Sequence, residues 1–431
     1  MLENLDNITW AALQDAYGPA NELPGLIRAL ALSAPELQEE ILTDVWDRIW
    51  HHGRVTEVTP HAIPFLIELV AGGSLGHNLF SVLELLYYLG DGPTPWARET
   101  VNLKTYGEQS EGESLVLLKR ERGLSPDAIT KIFKESELYI KQSHVAVREE
   151  LAFYLRLLES NEAPSVREIA TWLTVVFPEL APEIAPRLRL LIDKEPDITV
   201  KATMIWSLGR LVCDLTDQEN LRFFSRLAHS KEHPLIYFYA AAAYTSMAKA
   251  DTPPEIAALV ATGIYSNWDP DDFPPLPTGG PILVSDSIRT HGCRALSRLG
   301  AERAVPLLVA ALGKINPPDQ PGAYLTFEPV VDTLLDLAFG SRRESDAYRV
   351  REWIKDGVKV RVNGRYYRLL TEHGPEVMGE LTDLQRQALE GVVVTEKLWS
   401  YEDNVYTLYG LPATREGLAR LLTSSSPDSA C

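Results

Sequence analysis

The chain has 431 residues, is 45% hydrophobic, and carries 60 acidic against 41 basic side chains, for a net charge of −19 with histidine neutral. That balance repels nucleic acid and anionic membrane and favours a basic partner. No apolar run approaches the ~18 residues needed to cross a bilayer, and three widely spaced cysteines (Cys213, Cys293 and Cys431) exclude a disulfide framework and fit a reducing cytoplasm.

The charge is uneven. Residues 1–100 hold 14 acidic and 4 basic side chains, −10 of the total of −19. The opening MLENLDNITW is acidic and lacks the basic and apolar regions of a secretory signal. Residues 1–34 read as an N-terminal cap. Trp10, Leu13 and Tyr17 are spaced for one helical face before Gly18-Pro19, and Leu23 to Leu32 makes a short second helix. Pro35 to His52 is then a long amphipathic helix. Leu37, Ile41, Val45 and Ile49 line its inner side; Glu39, Glu40, Asp44 and Asp47 line its outer side; Trp46, Trp50, His51 and His52 close it. Helices are expected at His61 to Val70 and His77 to Leu89. Residues 91–124 break the pattern with Asp91-Gly92-Pro93 and Pro95 and read as an insertion, after which Pro126 opens a new helix.

Residues 145–264 show regular helical periodicity. Tyr237, Phe238, Tyr239 and Tyr244 interleave with alanines and belong mostly to the core. His229 and His233 are four apart, as two ligands on one helix face would be, but position 230 is serine and Pro234 is expected to end that helix, so they read as surface or capping residues. The Pro-rich stretch Tyr265 to Asp286 is a second insertion. Tyr265, Trp268 and Phe273 stand there with Asp269, Asp271 and Asp272, a combination suited to contact with a cationic partner or to a pocket, and without the glycine and distal glutamate of an EF-hand. Ser287 to Lys314 reads as two short helices joined at Gly300, each with one apolar stripe, with Pro306 in the first turn of the second. His291 and Cys293 are two apart and so point away from each other.

The first helix of that pair recurs at Val200 to Val212 and Tyr239 to Lys249. The second recurs at His61 to Val70, Pro182 to Ile192 and Pro253 to Ala261. A two-helix unit with a step of roughly 40–47 residues resembles HEAT-repeat proteins. The resemblance covers most of residues 24–340 and implies an all-α, right-handed α-solenoid.

From about residue 341 the composition changes. Arg342 to Lys355 reads as a charged helix carrying Trp353 and Ile354. Val358 to Leu369 alternates around Asn363-Gly364, a signal for a small β-hairpin. Leu381 to Val394 is a helix with Thr382 as N-cap, and Thr395 to Leu422 forms short helices around Gly410-Leu411-Pro412. The residues Leu381, Thr382, Gln385, Ala388, Leu389, Trp399, Tyr409, Gly410, Leu411, Pro412, Arg415 and Leu418 resemble the C-terminal cap of a group of bacterial HEAT-repeat proteins. The expected organisation is a solenoid with its N-terminal cap over 1–340, a C-terminal cap over 341–423 and a disordered tail over 424–431.

No phosphate-binding glycine loop, GxSxG elbow, CxxC pair or HExxH motif is present, so no metal site or cofactor is expected and no catalytic residue stands out. The expected function is that of a non-enzymatic protein-binding scaffold, in its specific form an immunity-type protein that holds a basic effector, with no nucleic acid or membrane partner. The partner-binding candidates are Glu39, Glu40, Asp44, Asp47, Tyr265, Trp268, Asp269, Asp271, Asp272 and Phe273. The alternative is an enzyme of specialised metabolism with a pocket on the concave face near 265–286.

Overall fold

The computed structural model describes residues 2–51, 54–91, 126–160, 162–214, 217–230, 232–266, 288–315, 327–340, 353–354, 359–362, 365–368, 381–400, 406, 411–412 and 414–424. It is mostly helical, as the all-α reading requires. The helices are α1 (Leu23–Leu32), α2 (Pro35–Ile49), α3 (Thr59–Ala71), α4 (Leu79–Asp91), α5 (Pro126–Arg148), α6 (Leu151–Leu158), α7 (Pro164–Val175), α8 (Ala181–Ile192) and α9 (Ile198–Val212). There follow α10 (Gln218–Ala228), α11 (Pro234–Ala248), α12 (Pro254–Tyr265), α13 (Ile288–Ser297), α14 (Ala301–Leu312), α15 (Glu328–Phe339), α16 (Asp383–Val394) and α17 (Arg415–Ser424). The described residues fall into two compact units, the first ending at Val212 and the second beginning at Cys213.

In the first unit, α1 packs on α2, α3 on α4 and α5, and α7 on α4, α6 and α9. Ile27 and Leu30 of α1, Leu66 and Leu69 of α3, and Leu83 and Leu86 of α4 are fully buried. Each such side chain contributes roughly 1.5–3 kcal/mol. The N-terminal segment departs from its expected helix. Leu5–Asn7 and Trp10–Ala12 are 3-10 turns, and Tyr17 is 63% exposed. Gly18-Pro19 is instead pinned by short-range backbone bonds and by Asp15, which accepts from the N–H groups of Tyr17 and Gly18. Arg48 of α2 anchors this segment, donating to Asp15 at 2.7 Å and to Glu22.

Helix α2 also ends earlier than its periodicity suggests. Trp50–His51 (β1) leaves the helix and pairs antiparallel with Arg54–Val55 (β2). Its buried stripe is Gln38, Ile41, Leu42, Val45 and Ile49, whereas Leu37 is half exposed. Gln38 replaces Leu37 because its amide has work inside: it donates to the carbonyls of Leu30 and Ser74, both at 2.9 Å.

In the second unit, every helix from α10 to α16 packs on its successor. From α11 to α14 each also packs on the helix after next. Helix α11 lies against α10, α12 and α13 and is apolar nearly all round, as a helix covered on several sides must be. Phe238 and Tyr239 are buried there, while Tyr237 and Tyr244 are only partly so. Gly300, at φ +84°, turns α13 into α14. Pro306 lies in the interior of α14 rather than in its first turn. Pro234 likewise opens α11 instead of ending a helix. Trp353–Ile354 (β3) is extended rather than helical and pairs with Lys359–Val362 (β4), which pairs antiparallel with Arg365–Arg368 (β5). Thr382 and Gln385 form a reciprocal capping box on α16, at 3.2 and 3.0 Å. The 91–124 insertion (apart from Asp91), most of the 265–286 insertion and the 425–431 tail lie outside the described residues.

Two glycines test this packing. A Cβ on Gly263 of α12 would fall 2.0 Å from the Phe238 ring of α11, whereas a Cβ on Gly25 of α1 meets nothing within 4 Å. Gly263→Ala should therefore destabilise the chain by about 1–3 kcal/mol in urea unfolding. Gly25→Ala should be neutral or stabilising by up to about 1 kcal/mol. Equal effects would contradict the close approach of α11 and α12.

Candidate functional site

Helix α2 begins with Pro35 in its first turn and Glu36 beside it, and ends with Arg48, an arrangement favourable to both ends of its dipole. With its apolar stripe turned to α1, its other side presents Glu39, Glu40, Asp44 and Asp47, all exposed. Among the described residues none of these four makes a salt bridge, in contrast to Asp15 and Glu22, which Arg48 bridges.

Beside this face is a cavity of about 400 Å³. Glu39, Thr43, Trp46 and Asp47 of α2 form one wall, Ser81 and Glu84 of α4 the other, and Asn78 stands between them. Asn78 is 4% exposed and fixed: its amide donates to the Pro35 carbonyl at 3.2 Å and to the Gln38 side-chain oxygen at 3.3 Å. Trp46 meets Trp50 and Tyr88 edge-on, each at 5.9 Å, and Trp50 and Tyr88 stack on each other at 5.2 Å. The tryptophans that close α2 thus brace a wall as well as the core. Glu84 accepts from the Tyr88 hydroxyl at 3.1 Å. Burial raises its pKa above the usual carboxylate value, with the Tyr88 bond opposing. Glu84 and Asn78 escaped the sequence reading. The available signal was a single carboxylate inside LFSVLELLYYLG, a stretch otherwise apolar enough to be buried.

The other candidates stand apart in the chain. Tyr265 ends α12, with its hydroxyl donating to Thr262 at 3.3 Å and the Lys314 ammonium 4.7 Å from its ring centre. Trp268, Asp269, Asp271, Asp272 and Phe273 lie outside the described residues. His229 and His233 do not share a helix face: His229 is the C-cap of α10 and His233 the N-cap of α11. Among the described residues no group of three or more His, Cys, Asp or Glu could hold a metal ion, and no helix is long and apolar enough to cross a membrane.

Three of the buried ionisable groups bear on chemistry. His291 is 1% exposed and its Nδ1 is 3.2 Å from the Tyr239 hydroxyl. Cys293 is equally buried, and burial pushes its thiol up to about 12, which makes it unreactive. Glu168 of α7 is 6% exposed, and its Oε1 has no hydrogen-bond partner. Beside it, Arg167 forks onto Glu195 at 2.9 and 3.2 Å, and Asp197 caps the start of α9. Burial pushes the Glu168 carboxyl up to about 7; the Thr199 hydroxyl and Arg167 oppose this, and Asp197 and Glu195 add to it.

No protein-family model, curated protein or solved structure matches this chain.

The Glu168 carboxyl titrates near 7 in the folded chain and near 4.5 when exposed. The folded state therefore holds the proton more tightly. Stability falls as pH rises between these values and levels off above about 7. At about 1.4 kcal/mol per pH unit the full loss is about 3 kcal/mol. Glu168→Gln should remove this slope and be more stable than the parent at pH 8 in urea unfolding. An unchanged slope would show that Glu168 ionises as an exposed carboxyl does.

Proposed function

We propose that this protein is a non-enzymatic binding module, a right-handed HEAT-like α-solenoid with a hairpin-bearing C-terminal cap, that holds a basic protein against its acidic N-terminal face. The stacking of each helix from α11 to α14 on the next and the next but one supports the architecture, because tandem helical pairs bury their stripes in that way. One observation carries the function: α2 displays four exposed carboxylates without a salt bridge among the described residues, two of which line a cavity to which Glu84 adds another acid. An uncompensated field of one sign accelerates encounter with a partner of the other and selects against like-charged competitors. A cytoplasmic immunity-type protein that neutralises a basic effector is the specific form of this reading.

The experiment is affinity capture from the native lysate at low and high salt, with kinetics on whatever is retained. A basic protein that elutes with salt is expected. Replacing Glu39, Glu40, Asp44 and Asp47 together with lysine should slow its association at least about tenfold and abolish the salt dependence. Unchanged association would contradict the proposal.

A further inference from the structure

The cavity between α2 and α4 carries a chemistry that the exposed face alone does not. Its carboxylates come from two helices, Glu39 and Asp47 from α2 and Glu84 from α4, and none makes a salt bridge among the described residues. Glu84 is the most informative. It is half-buried in the mostly apolar stretch Leu79 to Gly90, and its Tyr88 hydrogen bond fixes its position without neutralising its charge. A carboxylate removed from water costs free energy unless a cation or several donors compensate it. Among the described lining residues there is no lysine or arginine to do so, and His77 is the basic side chain that the lining does hold.

The aromatic wall narrows the choice of cation. Trp46 is only partly buried, and Trp50 and Tyr88 hold its ring in place. Asn78, locked by Gln38 and Pro35, fixes the side between the helices. A guanidinium is planar, weakly hydrated and forked; it stacks on an indole while donating two parallel hydrogen bonds to a carboxylate. An ammonium is compact and strongly hydrated and matches this wall less well. A volume of about 400 Å³ admits such a side chain with room for water.

We infer that this cavity receives one arginine side chain of the basic partner, stacked on Trp46, with its guanidinium bonded to Glu84 and flanked by Glu39 and Asp47. The inference rests on the basic-partner reading above, but the pocket can be tested without the partner.

The full chain, labelled with fluorotryptophan, is titrated with N-acetyl-arginine amide, its neutral isostere N-acetyl-citrulline amide, N-acetyl-lysine amide and spermidine, and followed by fluorine NMR. Trp46→Phe assigns the Trp46 signal. The arginine amide should shift that signal, with citrulline and lysine amides at least about tenfold weaker. Glu84→Gln should weaken arginine binding about tenfold with an unchanged melting temperature. Leu190→Ala, exposed on α8 and absent from the cavity lining, should leave it within about twofold. No shift, equal binding of citrulline, or an unaffected Glu84→Gln chain would overturn the arginine pocket. Tighter binding of spermidine than of the arginine amide would overturn a protein side chain as the occupant. If the arginine amide binds but no basic protein is captured from lysate, the partner reading fails and the pocket stands. Salt-sensitive capture without any arginine response removes the pocket alone.

Discussion

A helix with one apolar stripe cannot be stable alone in water, and that constraint shapes nearly everything in this chain. Helices of ten to fifteen residues recur throughout, and isolated helices of such length are marginal. Their stability must come from neighbours. The second unit satisfies the requirement by repetition, each helix from α11 to α14 serving both its successor and the one beyond. Where three helices must come close, small residues permit it: α11 carries the buried run Ala240 to Ala243, and Gly263 and Gly292 admit Phe238 and Ile264 where a methyl group would clash.

The same constraint explains the N-terminal unit's surface. Once Ile41, Val45 and Ile49 are committed inward, the helical period places Glu39, Glu40, Asp44 and Asp47 outward together. Arg48, near the end of that helix, is used for folding: it ties Asp15 and Glu22, and hence the N-terminal turns, to α2. The acids of the outer face are left to the solvent. An acidic surface thus arises from the period of one helix, with Arg48 tied into the fold and, among the described residues, the four outer carboxylates outside any salt bridge.

Much of the helical pattern was legible in the sequence. The pair around Gly300, the α9 and α8 helices and the Thr382 cap follow from spacing and cap chemistry that are local. The departures come from tertiary demands that spacing does not encode. Gln38 displaces Leu37 from the interior because two carbonyls there need a donor. Trp50 leaves the helix to join a strand pair and stack on Tyr88. Tyr17 is exposed because hydrogen bonds, rather than a helix, hold the turn around it. Proline misled twice, in opposite ways: Pro234, expected to end a helix, opens one, and Pro306, expected in a first turn, is tolerated in a helix interior. Of the site, the acidic face was legible because it lies on one helix. The cavity was not, because it needs α4 brought against α2, and nothing in either segment alone announces that Glu84 and Trp46 share a space.

The central claim is that the partner is held at α2 and α4. The most direct measurement is amide hydrogen exchange on the chain alone and in complex with the basic protein it captures. The account predicts slowed exchange concentrated in 35–51 and 77–91, the segments that build the acidic face and its cavity. Protection confined to other helices, with 35–51 and 77–91 exchanging as in the free chain, would contradict it.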